Sequence, residues 1–355
     1  MSVVDHKCPN CFAELKFNPT EQKWVCNFCG CSYMLEDLKK AEEELNKATK
    51  DESVKENLKK SANVTYSSYN CPDCGAEIVM DENTSVTECI YCGNTAIITE
   101  RLTGEFMPKQ IIPFKKEKDE AIKAYKSYSK GKWFVPKEFT KDGVIQKISG
   151  IYIPFYLYDM NTSARITVDA RRDKTWTEGG YRYKRTDYFV AERAGKMSFR
   201  KIPTDASQKF PDDIMDSIEP YNYSDLVDFD SSYMSGFLSE KYDLSKDELL
   251  ERAEQRAKES TVQELLNTVT GYNSKNITAS EAHIDGNVKG EYVLLPVWLL
   301  NVKYDGKMYT FAMNGQTGKF IGNVPVLASK VAGYWFGIFG AISAILILLH
   351  VFGIL

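Results

Sequence analysis

The chain has 355 residues and a formal net charge of −4. That length predicts two or three folded units, with chain enough for one sizeable core. The near balance of charge argues against a generic nucleic-acid binder, which would need a basic surface.

Nine cysteines carry most of the information, and eight of them fall in four C-x-x-C pairs. Such pairs read as structural zinc thiolates in a reducing compartment. Met1 to Lys7 holds no apolar run, so no secretory signal is expected and the thiols should face the cytosol.

The first two pairs define a ribbon over residues 1–34. Cys8-Pro-Asn-Cys11 is followed after fourteen residues by Cys26-Asn-Phe-Cys29-Gly30. Two residues between cysteines let a tight knuckle aim both thiolates at one ion, and four sulfurs complete zinc's tetrahedral shell. A glycine behind a knuckle frees the turn to take positive φ. A unit this short cannot bury enough apolar surface to fold alone, so metal binding would supply its folding energy. Cys31 and His6 lie beside this ribbon, either as a spare thiol and a surface imidazole or as a site of ligand exchange and redox sensing.

Residues 35–66 read as a charged helical linker. Leu38, Ala41, Leu45 and Ala48 recur at 3-4-3 spacing and give a narrow apolar stripe on a solvated helix. The stripe suits a spacer, or a short coiled-coil contact.

A second ribbon spans residues 67–107. Cys71-Pro-Asp-Cys74-Gly75 and Cys89-Ile-Tyr-Cys92-Gly93 repeat the first spacing, and Ala13-Glu14-Leu15 returns as Ala76-Glu77-Ile78. This is an internal duplication and implies two zinc ions per chain. From Tyr69 to Thr99 there is no Lys or Arg, against Asp73, Glu77, Asp81, Glu82 and Glu88. A phosphate backbone would be repelled here, because such affinity comes from Lys and Arg displacing counterions. Protein contact is therefore the expected use, with a membrane-tethered nucleic-acid-binding ribbon protein as the alternative.

Residues 108–328 read as an α+β body. A strand over Ile111 to Phe114 leads to a helix over Glu117 to Lys130, with Ala121, Ile122, Tyr125 and Tyr128 on one face. A strand over Ile148 to Tyr158 contains Pro154, which argues for an edge or a bulge. Later, Ser245-Lys-Asp-Glu248 is a capping box opening a second helix that Gly271 ends. A strand over Tyr292 to Tyr304 then contains Pro296. Lys118-Asp-Glu-Ala-Ile122 aligns with Lys246-Asp-Glu-Leu-Leu250, and Pro154-Phe-Tyr-Leu157 with Pro296-Val-Trp-Leu299. These matches predict a duplicated helix-plus-antiparallel-sheet unit. Turns are expected at Glu178-Gly-Gly180, Asp305-Gly306, and Asn314-Gly315 with Thr317-Gly318. Gly315-Gln-Thr-Gly318-Lys319 has the wrong spacing for a phosphate loop and reads as a hairpin. Arg165 to Lys201 holds eleven bases and five acids, whereas Asp212 to Asp230 holds seven acids and no base. The two surfaces face each other, or are solvated, or the basic one lies on anionic lipid.

Residues 331–355 carry no charge apart from His350 and would extend about 37 Å as a helix, enough to cross a bilayer. Lys319 and Lys330 precede it and nothing basic follows, which predicts a single-pass cell-membrane protein with its N-terminal region in the cytoplasm. Gly333, Gly337 and Ala341 form a small-residue row that would permit pairing of two copies. The three histidines, His6, His283 and His350, stand outside any catalytic motif, so no enzyme is expected.

The C-P-x-C-x-A-E ribbons, Tyr233-Met-Ser-Gly-Phe-Leu-Ser-Glu-Lys-Tyr242, Leu295-Pro-Val-Trp298, Asn314-Gly-Gln-Thr-Gly318 and the terminal helix together carry a resemblance. The ribbons resemble those of transcription factor IIB and of the primosomal helicase PriA. The whole chain resembles bacterial membrane proteins with such ribbons, including the ribbon protein encoded beside a phage-shock-protein-A (PspA) homologue in Gram-positive membrane-stress loci. That resemblance implies recruitment of cytosolic stress proteins to the membrane and no catalytic residue. Cys31 is a departure from the ribbon pattern.

Overall fold

A computed structural model describes residues 7–13, 15–48, 67–71, 77–80, 89–90, 98–101, 108–130, 132, 134–234, 236–240 and 242–351. In chain order the strands and helices begin with β1 (Leu15–Asn18), β2 (Lys23–Cys26), β3 (Ser32–Tyr33) and α1 (Leu35–Ala48). There follow β4 (Ser67–Asn70), β5 (Glu77–Met80), β6 (Ile98–Arg101), β7 (Gln110–Ile111), α2 (Lys118–Ser129) and α3 (Asp142–Ile145). The long strands β8 (Ser149–Glu178) and β9 (Tyr181–Asp205) precede α4 (Asp212–Ser217), β10 (Val227–Asp228), β11 (Leu238–Glu240) and α5 (Lys246–Asn267). The chain then forms β12 (Ser274–Tyr304), β13 (Lys307–Asn314), β14 (Phe320–Gly322) and α6 (Ala328–Val351). It is a mixed fold of helices and largely antiparallel sheet.

β8 and β12 form the spine, antiparallel from Ser149↔Leu299 to Arg171↔Ser274. Each exchanges its outer neighbour partway along. β12 first takes β7 in parallel at Val293 and Leu294, then β13 antiparallel from Val297 onward. β8 takes β11 in parallel at Ile151 and Tyr152, then β9 antiparallel from Phe155 onward. Pro154 and Pro296 sit at these two handovers. Their carbonyls accept from Ala206 N–H at 2.9 Å and Gly315 N–H at 2.8 Å. The sequence placed Pro154 at an edge or a bulge, yet it lies in a central strand, as does Pro296. A proline is tolerated there because its missing N–H falls in the gap between successive partners.

Two apolar layers flank this crossing. On one face Phe114, Tyr125, Tyr152, Trp298 and Phe311 pack with α2, and Tyr125 donates its hydroxyl to Phe139 O at 2.7 Å. On the other, Ile153, Phe155, Leu295 and Val297 pack with Met215 and Ile218 at α4. Asn314 and Gln316 clasp the 218–226 loop: Asn314 Nδ2 donates to Ile218 O at 3.0 Å, and Gln316 Oε1 accepts from Asn222 N–H at 2.7 Å. The Gly315–Gly318 stretch is thus a hairpin clasp, since Phe311–Met313 pair with Phe320–Gly322 beyond it.

Beyond Tyr158, β9, β8 and β12 continue as a three-stranded arm. α5 lies along one of its faces, burying Ala253 and Ala257 with Tyr158, Met160 and Ile202, and Leu265 with Ala164, Ile166 and Val168, while Thr261 meets Thr162. Its start is the expected capping box, with Ser245 Oγ accepting from Glu248 N–H at 3.4 Å. β12 begins at Ser274, well before the expected Tyr292. Residues 274–291 are mostly exposed or half-buried, and Gly286 and Gly290 interrupt them, so no clean alternation marks a strand.

Among the described residues, the acidic 212–230 stretch forms its ion pairs outside the basic one. Arg252 of α5 reaches Asp205, Asp212 and Asp216, each at 2.9 Å, and Arg256 reaches Glu219 at 3.0 Å. Asp225 pairs with Lys115 at 2.7 Å and Asp230 with Lys39 at 3.1 Å. The acids therefore serve to fasten α5, the 115 loop and α1 to the body.

Candidate metal centre

The first ribbon folds as a hairpin between two knuckles. Asn18 Oδ1 accepts from the N–H groups of Thr20 and Glu21, both at 2.9 Å, which fixes the turn joining β1 and β2. β1 and β2 pair Leu15↔Cys26 and Phe17↔Trp24. The two knuckles are built alike. Phe12 N–H donates to Cys8 O and Gly30 N–H to Cys26 O; Cys8 N–H donates to Ala13 O and Cys26 N–H to Cys31 O. Gly30 takes φ +75° as expected, but the corresponding residue of the first knuckle is Phe12, at φ +57°. Cys31 therefore stands where Ala13 stands, and its backbone closes the knuckle.

Cys8, Cys11, Cys26 and Cys29 converge, with all four sulfurs within 4.8 Å of one another. Cys8 Sγ lies 3.5 Å from Cys29 Sγ, and Cys11 Sγ 3.5 Å from Cys26 Sγ. A tetrahedral zinc with Zn–S bonds of about 2.3 Å requires sulfurs roughly 3.8 Å apart. The donor set and its spacing therefore fit one zinc ion, and Cys8, Cys11, Cys26 and Cys29 would hold it. Bound there, zinc would supply cross-linking of the two knuckles, not chemistry, because no fifth donor or open position is needed.

Backbone dipoles prepare the sulfurs for the ion. The Cys31 N–H, foremost, holds the Cys29 thiol down to about 6. Burial opposes ionisation of Cys8, yet the N–H groups of Cys11 and Asn10 and the Tyr33 hydroxyl bring its thiol below the ordinary range. Tyr33 Oη lies 3.7 Å from Cys8 Sγ, a neighbour that the spacing of cysteines did not reveal. The Ala13 N–H favours the Cys11 thiolate, but burial and the neighbouring sulfurs outweigh it and push Cys11 up to about 12. Crowded thiolates repel until a cation joins them. The Cys31 thiol, raised first by its contact with Cys29, accepts from Asn10 Nδ2 at 3.8 Å and lies outside the four-sulfur cluster.

The ribbon is seated on the body. Phe17, Trp24 and Tyr233 form an aromatic triad with centroids 5.0–5.2 Å apart. Trp24 Nε1 donates to Ser232 O at 3.1 Å, and Gln22 Nε2 to Phe114 O at 2.7 Å. Leu38 is buried in the same cluster, so α1 starts as part of this seat and not as a free spacer. Residues 49–66, expected to continue the linker helix, lie outside the described residues, as does His6.

Of the second set, Cys71 and Cys89 are buried in one core cluster of the body, while Cys74 and Cys92 lie outside the described residues. What is described of this region joins the sheet by strand addition. β5 pairs with β11 through Val79↔Ser239 and Ile78↔Glu240, and Asn301 Nδ2 donates to Ile90 O at 2.9 Å.

At the other end of the chain, residues 328–348 form a helix long and apolar enough to span a membrane, none of it buried against the protein. Its root is held by Leu327 N–H to Phe134 O at 2.9 Å and Lys330 Nζ to Val135 O at 2.8 Å. His283 is exposed on the arm, opposite Ser163.

A thiol cluster with zinc's geometry, an α/β body and an apolar terminal helix are together compatible with a membrane-anchored zinc-binding protein. Over 338 residues the chain is 35% identical to the uncharacterized protein YdjG of Bacillus subtilis (strain 168), covering 95% of each chain, and it belongs to the family of that protein. This relative fits the Gram-positive group expected from the motifs. No family model and no solved structure matches the chain.

Proposed function

We propose that this chain is a membrane-anchored zinc-ribbon adaptor that holds cytosolic proteins at the bilayer. One observation carries the reading. The four sulfurs fill every position of a tetrahedral ion, so no substrate or water can enter, while Phe28, between Cys26 and Cys29, is 85% exposed. Phe12 projects from the other knuckle, also exposed. Exposed aromatic residues on a rigid support are typical anchors of protein interfaces. The ribbon thus offers a surface and not a reaction, and the chain is read as a non-enzyme.

The remaining parts of the reading follow. Cys71, Cys74, Cys89 and Cys92 would hold a second zinc ion. The terminal helix crosses the cell membrane once, with the ribbons in the cytoplasm, as the lysines before it suggest. The partners are cytosolic proteins of the PspA type in a membrane-stress response, supported by resemblance. The body is a duplicated unit, β7–α2–β8–β9 and β11–α5–β12–β13. Register supports this: the pairs Gln110↔Val293 and Ile111↔Leu294 correspond to Leu238↔Ile151 and Ser239↔Tyr152, and each unit meets its proline at the same step.

The test is recovery of bound proteins from intact membranes with the full chain, with residues 1–100 deleted, and with Phe28→Ala. Partners should be lost with the deletion and weakened by the substitution. An unchanged set in both would sink the adaptor reading.

A further inference from the structure

The sequence assigned a basic surface to residues 165–201, but the arm does not carry it evenly. On the face away from α5, the bases Arg165, Arg171 and Lys196 are interleaved with Asp169, Glu281 and Asp285. On the other side, the exposed row of α5 holds Asp247, Glu248, Glu251, Glu259 and Glu264 and no base. Only the hairpin beyond the end of α5 differs.

That hairpin closes at Gly179 and Gly180, with φ +58° and +82°. Residues 171–190 contain six bases against Asp173, Glu178 and Asp187. Asp173 is taken by Lys184 at 3.1 Å and Arg171 at 3.5 Å, and Asp187 by Arg185 at 2.8 Å. Lys174 and Arg182 have no ion-pair partner among the described residues.

Large apolar side chains are exposed on both faces of this tip. Trp176 stacks on its cross-strand partner Tyr183, centroids 5.4 Å apart, and Tyr181 beside them is 72% exposed. On the opposite face Tyr188 is 79% exposed and Val190 lies beside it. A protein surface or a second copy laid against one face would leave the other bare. A medium that surrounds the hairpin covers both. Amphipathic aromatics with unpaired cations suit the head-group layer of a bilayer with negative surface charge.

We propose that the tip of the arm, residues 171–190, is a contact site for anionic lipid head groups, giving the protein a second attachment to the bilayer besides α6. The inference rests on the anchor reading and is independent of the ribbon partners. β8 is 30 residues long, roughly 100 Å at strand rise. Ile148, just before β8, lies in the same core cluster as Val135, which is bonded to the anchor's root; the tip is at the other end. The arm thus sets the two attachments far apart.

The experiment uses the full chain in phosphatidylcholine vesicles and in vesicles containing phosphatidylglycerol. Flotation with both kinds reads the anchor alone; failure to float would remove the anchor reading. Amide exchange of residues 171–190 reads the tip, with residues 293–300 as the check that the core is intact. Exchange at the tip should slow several-fold only with phosphatidylglycerol, and the slowing should vanish at high salt and in Lys174→Glu/Arg182→Glu. Equal exchange in the two vesicles would overturn the proposal. So would slowing in detergent that grows with protein concentration, which marks a second copy, or slowing that appears only on adding cytosolic protein.

Discussion

The two cysteine-bearing regions share a spacing but are seated on the body by different physics. The first is held by side chains: Trp24, Phe17 and Leu38 pack around Tyr233, Trp24 and Gln22 donate hydrogen bonds to the body, and Lys39 pairs with Asp230. The second adds a backbone attachment that the first lacks among the described residues, as β5 joins the sheet beside β11, besides the burial of Cys71 and Cys89 and the Asn301 bond to Ile90. Side-chain seats lose their strength residue by residue, whereas a paired strand responds to whatever disturbs the ladder or the polar groups at its end. A repeated motif therefore does not imply a repeated attachment.

The largest expected effect breaks the first region alone. Cys26→Ser should remove one zinc per chain in metal analysis and unfold β1–β3, since a structural zinc supplies on the order of 10 kcal/mol to a unit this small. Amide exchange should rise over residues 15–33 and stay unchanged at 238–240. Protection of 15–33 without the metal would show that packing on Tyr233 suffices.

Next in size, Trp24→Ala removes the centre of the triad and should cost about 3–5 kcal/mol in denaturant unfolding of the first region. Zinc should remain bound, because the four sulfurs are untouched.

The second region should respond to pH. Glu240 ends β11, opposite Ile78 of β5, and among the described residues its Oε2 has no hydrogen-bond partner. Burial, opposed by Lys209 at 3.2 Å and Ser207 at 2.8 Å, pushes its carboxyl up to about 7 from 4.5. The folded protein then binds the proton more tightly than the unfolded chain. Stability is greatest below the unfolded value and falls as pH rises through about 7, by a few kcal/mol at most. Exchange at 238–240 should therefore quicken between about pH 6 and about pH 8 beyond the intrinsic rate, and Glu240→Gln should abolish the change, while the zinc thiolates stay loaded. A response equal in both regions would contradict the distinction drawn between them.

The smallest effect lies within the first region. Phe12 and Gly30 occupy matching left-handed positions. Phe12→Gly should stabilise by about 1 kcal/mol and Gly30→Ala destabilise by a similar amount. If Phe12→Gly also lowers partner recovery, the strain is the cost of displaying that ring.

The sequence by itself determined what depends on local spacing. Cysteine pairs, a capping box at Ser245, the Gly-Gly and Asp-Gly turns and an uninterrupted apolar run each specify their structure within a few residues. The helices at 118 and 246, the hairpins at 179 and 305 and the first thiol cluster were legible for that reason. The tertiary structure decided everything that needs a distant partner. Pro154 and Pro296 could be read only as misfits in a central strand until the exchange of neighbours at each was visible. The acidic 212–230 stretch acquired its meaning from Arg252 and Arg256, tens of residues downstream. The start of β12 was hidden because its side chains lie half in solvent, with only a helix of small residues behind them. The seat of the first ribbon on Tyr233, over two hundred residues from Trp24, left no pattern at all, since packing between remote segments is fixed by shape and burial and not by sequence period.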